Sequence, residues 1–372
     1  MTRVLILTAS YGSGHNVAAR SLATAFERAG IAVRVVDHFR DVVSPVFERA
    51  SRALYYWTLR RLPALWGAAY ALADRMTSDS PLAFGMTRLG LARLARLLAE
   101  EMPDVVVTVH ATPAVAMTAL AERGVRVPPH TTVVTDFVAH SQWMARGVNR
   151  YCVAAEEVRH EFVARGIPPD RITVTGMPVR MEFENALDAA AARQACGLSS
   201  QAPVVLAMAG AHGRFGRLRQ VAQAMATLPL GVQGIVVAGL DRNLEASLGR
   251  LTQGTTVRTL GYEAHLHRLM AAADLLVTKA GGMTLAEAIT VELPLVIYGS
   301  LPGQERRNER FASRSGIAFI ARTRRELGAA LERALTEPAL LDRMRLQMRR
   351  LRRPDASRRV VSAVLEREGI AS

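Results

Sequence analysis

Cysteine is scarce in this chain of 372 residues, which contains only Cys152 and Cys196. The two lie far apart in the sequence, and no further cysteine stands at the spacing that a metal site needs. The sequence therefore predicts reduced thiols, without a disulfide framework or a metal-binding cluster.

Long apolar runs are also missing. A helix that crosses a bilayer needs about 18 to 20 predominantly apolar residues, and even the stretch from Leu89 to Leu98 is broken by Arg93 and Arg96. Residues 1–10 contain a short apolar core that runs into glycines, which is typical of a buried strand and not of a signal peptide. We therefore expect a cytosolic chain that does not span a membrane.

Lysine is almost absent, and acidic residues are outnumbered. The chain has 47 Lys and Arg against 33 Asp and Glu, a formal net charge of +14, and Lys279 is its only lysine. Such an excess suits nucleic acid, an anionic membrane surface or a phosphorylated substrate. Residues 343–359 carry eight arginines and a single acid, Asp355. Because the basic segments contain no recognisable nucleic-acid-reading motif, we do not expect a nucleic-acid partner.

The pattern of apolar residues predicts an α/β protein. Half of the residues are apolar and 22% are charged, which excludes disorder of the bulk, and at about 100 to 200 residues per domain the length favours two domains. Short apolar runs alternate with helical stretches in both halves, as in parallel sheets covered on both faces. The candidate strands are 4–8, 33–36, 105–109, 131–135, 150–153 and 172–175, then 204–209, 234–238, 256–259, 275–278 and 294–298.

These two series predict two doubly wound domains. We place the first at 1–178 and the second at 203–350, with a linker at 179–202. The basic segment 351–372 is expected to form a C-terminal helix that packs back toward the first domain. Ligands of such sheets bind at the carboxyl ends of the strands, so the loops that follow the strands are where chemistry is expected.

A glycine loop joins the first strand to a helix. It reads Ala-Ser-Tyr-Gly-Ser-Gly-His over residues 9–15, and glycines before a helix start allow close backbone approach to phosphate or sugar-phosphate groups. The loop lacks the third glycine of the dinucleotide fingerprint and the Gly-Lys-Ser/Thr of a P-loop. His15 stands where a general base is expected. The alternative is a histidine that only caps the helix.

The second half contains several comparable loops. Residues 278–287 again join a strand to a helix through glycines; Lys279 and the backbone N–H groups suit a diphosphate, and Glu287 suits the hydroxyls of a ribose. The alternative is an ion pair between Glu287 and Lys279. Residues 302–308 offer amide and carboxylate groups for sugar hydroxyls, or form a solvated turn. Residues 209–213 form a third glycine loop, and Tyr262 is placed to stack on a base.

Seven sequence runs together carry a resemblance to a known family. They are GSGHNVAARSLATAF, MPDVVVTVHATP, VVTDFVAHSQWMARGVNRYCVA, VTGMPVR, MAGAHG, TKAGGMTLAEAI and PGQERRNERF. The chain resembles the UDP-sugar-dependent diacylglycerol glycosyltransferases, which comprise bacterial processive glucosyltransferases and plant monogalactosyldiacylglycerol synthases, from Val4 to about Ile320. The MAGAHG and TDFVAH runs favour the bacterial type. The second half is more distantly similar to the lipid-linked N-acetylglucosaminyltransferase of peptidoglycan synthesis.

This resemblance implies two Rossmann-like domains facing across a cleft, the GT-B architecture, with UDP-sugar in the second domain and the acceptor lipid in the first. In the first domain His15 is expected near the reacting hydroxyl, and Asp136 is the rival base or the group that orients His15. His140 and Trp143 are acceptor-side or structural residues, and His110 is given a structural role. The UDP-sugar-binding residues are expected to be Gly14, Gly210, Ala211, His212, Gly213, Tyr262, Leu266, Lys279, Ala280, Gly281, Gly282, Met283, Thr284, Glu287, Gln304, Glu305 and Asn308. The role of Lys279 follows from its charge and not from the resemblance.

No Asp-x-Asp occurs in the sequence, so the metal clamp of the other major glycosyltransferase fold is missing. The expectation is a metal-independent inverting displacement without a cofactor, in which the UDP-sugar is the donor substrate and diacylglycerol the acceptor. Backbone donors stabilise the leaving diphosphate, and a base at His15 or Asp136 deprotonates the acceptor.

Aromatic residues are concentrated in one segment. Six of the twenty aromatic residues lie within 47–70, where Ser44 and Pro45 predict a helix start and Pro63 a break. Aromatic rings flanked by arginines suit the headgroup region of an anionic membrane, and a helix pair that covers the sheet is the alternative. The expected acceptor or membrane residues here are Tyr55, Tyr56, Trp57, Arg60, Arg61 and Trp66. With the basic patch, they predict a peripheral, salt-sensitive attachment to the inner face of the cell membrane.

Three other functions are left open by the sequence. They are transfer to another lipid acceptor such as a polyprenyl-linked sugar, a UDP-sugar epimerase, and a sensor of UDP-sugar or anionic lipid that does not turn over. The identity of the sugar, the number of sugars added and the choice between His15 and Asp136 as base are open as well.

Overall fold

A computed structural model describes residues 2–76, 89–185, 187–208, 210, 216–229 and 231–367 of the chain. Its strands are β1 (Arg3–Thr8), β2 (Ala32–Asp37), β3 (Val105–Thr108), β4 (His130–Val133), β5 (Arg150–Val153), β6 (Ile172–Val174), β7 (Val204–Met208), β8 (Gln233–Val237), β9 (Val257–Leu260), β10 (Leu275–Thr278), β11 (Leu295–Tyr298) and β12 (Ala318–Ala321).

Its helices are α1 (Ser13–Arg28), α2 (Pro45–Arg61), α3 (Pro63–Arg75), α4 (Leu91–Glu101), α5 (Ala111–Ala121), α6 (Glu156–Ala164), α7 (Met181–Glu184), α8 (Ala189–Ala195), α9 (Leu218–Ala226), α10 (Arg242–Thr252), α11 (Leu266–Ala272), α12 (Gly282–Thr290), α13 (Gln304–Arg314), α14 (Arg324–Thr336), α15 (Pro338–Leu351) and α16 (Ala356–Arg367). A π-helical turn, His38–Val43, and two 3₁₀ turns, Ser141–Trp143 and Pro169–Arg171, complete the described elements.

The chain divides into two compact units. The first comprises Met1–Arg180, Pro302–Gln304 and Arg353–Ser372, and the second comprises Met181–Leu301 and Glu305–Arg352. Each unit contains one six-stranded sheet, and all strand pairs in both sheets are parallel. The prediction of two Rossmann-like α/β domains is therefore confirmed.

The first sheet has the strand order β2-β1-β3-β4-β5-β6. Strands β3 and β4 are buried along their whole length, as expected for a parallel sheet with helices on both faces. Because β2 lies on one side of β1 and β3 on the other, the direction of winding reverses between β1 and β3. Loops at the carboxyl ends of these two strands flank the topological switch point, where ligands of open α/β sheets bind.

The second sheet has the order β12-β11-β10-β7-β8-β9. Its switch point lies between β7 and β10, so the carboxyl ends of these two strands, at Met208 and Thr278, are neighbours at one edge of the sheet. The outermost strand, β12, was not among the predicted strands. Within the segment 179–202, for which the sequence predicts a linker, the structure forms α7 and α8, and α8 packs on α11.

The chain returns to the first unit at its C-terminal end, where α16 packs on α1. Gly176 makes this return possible: its φ is +83°, and a Cβ atom added there would lie 2.7 Å from Cβ of Arg353 and 3.2 Å from Cβ of Ala356. Both the backbone conformation and the close approach therefore require glycine.

Candidate active site

The glycine loop after β1 presents His15 in the first turn of α1. Gly12 is the residue before the helix, with an extended backbone (φ −146°, ψ 146°) and no side-chain cap. The ring of His15 lies beside the end of β3: its Nδ1 atom is 2.9 Å from the carbonyl oxygen of Val109 and 2.8 Å from Oγ1 of Thr135. His15 therefore sits at the switch point of the first sheet.

These contacts fix the tautomer of His15. A carbonyl oxygen can only accept a hydrogen bond, so Nδ1 of His15 carries the proton and donates it to Val109. The lone pair of the neutral ring is then on Nε2. Burial lowers the pKa of His15 to about 4, and the hydrogen bond to Val109 opposes this shift. At neutral pH the ring is thus neutral, with a basic nitrogen at Nε2.

Two further aromatic rings lie close to His15. The ring of His110 is 4.7 Å from that of His15, centroid to centroid, in an edge-to-face arrangement, and Trp143 lies 6.4 Å from both histidines. Nδ1 of His110 accepts from the backbone N–H of Thr112 at 3.1 Å and caps α5. His110 therefore has the structural role predicted for it, and it also forms one wall of the His15 site. Burial, together with His15 and His38 nearby, places the pKa of His110 well below its usual value.

Asp136 lies in the loop after β4 and is 4% exposed. The contacts at Nδ1 of His15, where an orienting carboxylate would bind, are made by Val109 and by Thr135, the residue before Asp136. Sequence reasoning missed both partners. The sequence did contain a signal for these two residues, because Val109 and Thr135 lie at the ends of β3 and β4, which are neighbours in the sheet.

A hydrogen-bond network supports the loop that precedes His15. Ser10 Oγ donates to Oδ2 of Asp37, Asn16 Nδ2 donates to Ser10 Oγ at 2.9 Å, and Thr8 Oγ1 donates to Asn16 Oδ1 at 2.9 Å. Asp37 is buried and its Oδ1 also accepts from two backbone N–H groups of the π-helical turn. The loop is thus fixed to the end of β2, and His15 with it.

In the second unit, α12 begins directly after the glycines that follow β10. Gly281 is the residue before the helix and provides no side-chain cap, so the first backbone N–H groups of α12 remain for an anion. Asn308 is fully buried, and its Nδ2 atom donates to the carbonyl oxygen of Ala280 at 3.2 Å. This bond ties α13 to the glycine loop. Gly282 is buried, whereas Met283 and Thr284 in the first turn are partly exposed.

Lys279 forms its ion pair with Glu305. The ammonium group donates to Oε1 of Glu305, and the backbone N–H of Leu301 donates to Oε2 of the same carboxylate at 2.9 Å. The alternative pairing of Lys279 with Glu287 is not the one that the structure shows. Glu287 is buried in α12, at 6% exposure.

Of the other predicted donor residues, Gly210, Tyr262 and Leu266 belong to the second unit, whereas Gly14 and Gln304 belong to the first. Gly210 follows β7 with a φ of +74°, a conformation that favours glycine. Tyr262 is 58% exposed, which leaves its ring available for stacking, and Leu266 is the half-buried first residue of α11. Gln304 begins α13, and Gly14 is in the first turn of α1. Ala211, His212 and Gly213 lie outside the described residues.

The aromatic segment forms the helix pair α2 and α3, with the predicted boundaries. Oγ of Ser44 accepts from the backbone N–H of Val46 at 3.2 Å, and Pro63 begins α3. Tyr55 and Trp66 stack edge to face, with centroids 4.9 Å apart, and the hydroxyl of Tyr56 donates to the carbonyl oxygen of Tyr11 at 2.9 Å. These rings are partly buried inside the pair, while Trp57 points outward with 54% exposure.

Six large apolar side chains of this helix pair are exposed to solvent. We name them together the hairpin surface: Val46, Leu54, Trp57, Leu62, Leu65 and Leu72. Sequence reasoning selected the aromatic residues and missed the aliphatic ones, although Leu65 and Leu72 follow the spacing of one helix face. Arg61 is exposed at the end of α2, and the side chain of Arg60 lies outside the described residues.

His140 is buried and contacts α3. It is 2% exposed, its Nδ1 atom accepts from the backbone N–H of Gln142 at 3.2 Å, and its Nε2 atom lies 3.2 Å from the carbonyl oxygen of Tyr70. Of the two predicted acceptor-side residues His140 and Trp143, it is Trp143 whose ring lies beside His15.

The described part of the chain contains neither a metal-binding cluster nor a membrane-spanning helix. Over those residues, no group of three or more His, Cys, Asp or Glu side chains is arranged to hold a metal ion. No helix there is both long enough and apolar enough to cross a membrane.

Two family models match this chain, one in each half. The family model of monogalactosyldiacylglycerol synthase matches residues 15–179, and that of UDP-N-acetylglucosamine 2-epimerase matches residues 148–365. The processive diacylglycerol β-glucosyltransferase of Bacillus mycoides (strain KBAB4) is 31% identical over 366 residues, which cover 98% of this chain and 93% of the relative.

Solved structures share the fold. MurG of Acinetobacter baumannii superposes with a TM-score of 0.67 at 15% identity, covering 98% of this chain and all of that one. The UDP complex of MnaA from S. aureus gives a TM-score of 0.67 at 12% identity, covering 100% of this chain and 98% of that one. The full-length identity to the glucosyltransferases decides the family, and the chain belongs to the diacylglycerol glycosyltransferases.

Proposed function

We propose that this protein transfers a hexose from a UDP-sugar to diacylglycerol and so makes a membrane glycolipid. The observation that carries the proposal is the neutral His15, whose Nδ1 is held by Val109 and whose unprotonated Nε2 can accept a proton at the switch point of the first sheet. The Bacillus relatives are named for adding glucose to diacylglycerol processively, which makes UDP-glucose the first donor to test and repeated transfer the expected outcome.

The reaction is an inverting displacement without a metal clamp. Nε2 of His15 takes the proton of the acceptor hydroxyl, and the resulting oxygen attacks the anomeric carbon from the face opposite the diphosphate. The bond between that carbon and the diphosphate oxygen breaks, and its electron pair leaves with UDP. Backbone N–H groups at the start of α12 stabilise the negative charge that develops on the diphosphate.

The donor is held by residues of the second unit. The start of α12 and Gly210 contribute backbone N–H groups to the diphosphate, Glu287 binds the ribose hydroxyls, and Tyr262 stacks on the uracil. Glu305 faces the sugar. This assignment is supported by the position of all five elements at the carboxyl edge of the second sheet.

The hairpin surface brings the enzyme to its lipid. An outward patch of aliphatic side chains and one Trp, with exposed Arg49 and Arg61 beside it, suits insertion at the headgroup level of an anionic bilayer. We propose peripheral attachment to the inner face of the cell membrane, with the cytoplasmic pool of UDP-sugar as donor source.

The test is a transfer assay on vesicles. Purified protein is incubated with a panel of UDP-hexoses and vesicles that contain diacylglycerol and anionic lipid, with a chelator present, and the lipids are analysed by mass. A gain of one or more hexoses that is lost in His15→Ala establishes the function. Binding of UDP-sugar without any lipid product contradicts it.

An epimerase is the second candidate, favoured by the family model that matches residues 148–365. It differs in needing no lipid. Formation of an altered UDP-sugar from UDP-sugar alone, in the absence of vesicles, would select it. Transfer to a polyprenyl-linked sugar and not to diacylglycerol would keep the enzyme class and change the acceptor.

A further inference from the structure

Lys279 is an exception within this chain. Among 47 Lys and Arg residues it is the only lysine, so at every other basic position the sequence uses arginine. A lysine ammonium is a compact charge on a flexible stem, whereas a guanidinium is a wide planar group, and the two are not interchangeable at a confined site. Position 279 is therefore where a requirement for an ammonium group is expected.

The surroundings of Lys279 explain such a requirement. Its side chain is 23% exposed and that of its partner Glu305 is 10% exposed. The ammonium group holds one carboxylate oxygen of Glu305, and the backbone N–H of Leu301 holds the other at 2.9 Å. Each oxygen retains a second lone pair. The carboxylate is thus fixed in orientation while it can still accept hydrogen bonds.

The ammonium group also lies above the first turn of α12. A Cβ atom placed on Gly281 would be 3.6 Å from Nζ of Lys279 and 3.8 Å from Oγ1 of Thr284. Lys279 therefore places Glu305 beside the backbone N–H groups that suit a phosphate. Without a cation at this point, a carboxylate next to an anion-binding helix start would repel the ligand.

We propose that Lys279 is a positioning residue for the sugar of the donor. It holds Glu305 ionised and oriented, so that the carboxylate accepts hydrogen bonds from hydroxyl groups of the hexose, while the diphosphate is bound by the start of α12. This inference rests on the proposed function, because it takes a UDP-hexose as the ligand. It departs from the sequence prediction, in which Lys279 serves the diphosphate.

The two roles predict different binding data. We would measure the affinities of UDP, UDP-glucose and UDP-galactose by calorimetry, without acceptor, for the wild type, Lys279→Met, Lys279→Arg and Glu305→Gln. The positioning role predicts that Lys279→Met and Glu305→Gln each weaken the better UDP-hexose by about tenfold or more, since charge-assisted hydrogen bonds are lost. In Glu305→Gln and in the double variant Lys279→Met/Glu305→Gln, which leave no unpaired carboxylate beside the diphosphate, the affinity for UDP changes by less than about twofold, a factor that corresponds to well under 1 kcal/mol.

Two further variants sharpen the test. The double variant Lys279→Met/Glu305→Gln is expected to bind the UDP-hexose no more weakly than either single variant, because both act on one carboxylate. Lys279→Arg is expected to show most of the loss of UDP-hexose affinity that Lys279→Met shows. Arg333→Met, which removes an exposed ion pair with Glu337 on α14, is the matched control and should leave all three affinities unchanged.

The outcomes separate the inference from the proposed function. If UDP and UDP-hexose lose affinity equally in the double variant Lys279→Met/Glu305→Gln, Lys279 contacts the diphosphate and the inference is wrong. Full affinity in Lys279→Arg also contradicts it. If the variants show the sugar-selective loss of affinity but the wild type transfers no hexose to diacylglycerol, the proposed function fails and the inference stands.

Discussion

The carbonyl oxygen of Val109 lies 2.9 Å from Nδ1 of His15, and this single contact decides which nitrogen of the ring is basic. A backbone carbonyl cannot donate, so the proton of the neutral imidazole stays on Nδ1 and the lone pair on Nε2. A main-chain atom at the end of β3 thus has the orienting function that a carboxylate has in many catalytic pairs.

Replacement of His15 tests this role directly. We expect His15→Ala to lower kcat by about 10²- to 10⁴-fold, the usual contribution of a general base, with little change in the affinity for UDP. Transfer of hexose to diacylglycerol in vesicles gives kcat, and calorimetry gives the affinity.

Asp136→Asn distinguishes the two candidate bases. With Nε2 of His15 as the base, Asp136→Asn retains more activity than His15→Ala, and Thr135→Val also retains activity because Val109 still holds Nδ1. A larger loss in Asp136→Asn than in His15→Ala would assign the base to Asp136.

Buried histidines make the first unit sensitive to acid. Burial lowers the pKa of His15 and of His38 to about 4 and that of His130 to about 3, whereas the unfolded chain titrates near 6.5. The unfolded state therefore binds more protons than the folded state between pH 6.5 and 4. The free energy of unfolding is at its full value above pH 6.5 and falls as the pH drops toward 4.

His38 provides the cleanest measurement, since it is fully buried and neither ring nitrogen has a hydrogen-bond partner among the described residues. From pH 7.5 to 5.0 we expect the wild type to lose on the order of 2 kcal/mol through His38 alone. His38→Leu should lose correspondingly less over the same interval, as measured by urea unfolding. An identical pH dependence in both proteins would contradict the assignment.

The hairpin surface is expected to control membrane binding. Leu54→Ser and Trp57→Ser each remove exposed apolar area, and we expect the pair of substitutions to weaken sedimentation with anionic vesicles by tenfold or more, at roughly 25 cal/mol per Å² of apolar surface removed from the bilayer. The double variant should keep its affinity for UDP-sugar, because the hairpin belongs to the first unit.

Leu240→Ser is the matched control for this experiment. Leu240 is 60% exposed in the second unit, so its replacement removes a comparable apolar side chain elsewhere on the molecule. Equal weakening of vesicle binding by Leu240→Ser would show that general surface hydrophobicity, and not the hairpin, governs attachment.

Glycine at position 176 is expected to be essential for stability. A Cβ atom at position 176 would lie 2.7 Å from Cβ of Arg353, and the alanine would have to adopt a left-handed backbone conformation. Gly176→Ala should therefore destabilise the protein by about 1 to 3 kcal/mol. Gly328→Ala, within α14 and with open space around its Cβ position, should instead raise stability by roughly 0.5 to 1 kcal/mol. Thermal unfolding of the two variants compares them, and a stable Gly176→Ala would remove the reason given for this glycine.

The sequence by itself determined the class of fold and predicted the loops in which we expect the chemistry. Continuous apolar strands followed by glycines can be read without a structure, because burial on both faces and a positive φ impose residue types locally. The same reading located His15, Lys279 and the helix pair, and it missed β12, whose apolar run is short and lies at the sheet edge.

Tertiary structure alone decided the partners. That Val109 and Thr135 orient His15, and that Lys279 binds Glu305 and not Glu287, depends on which strands are neighbours. The strand order brings β1 beside β3 and β10 beside β11. His15 therefore meets residues 94 and 120 positions away, and Lys279 meets Glu305, 26 positions away. The hairpin surface follows the same rule: composition marked the segment, but only packing determined that most of the aromatic rings turn inward and the aliphatic side chains turn out.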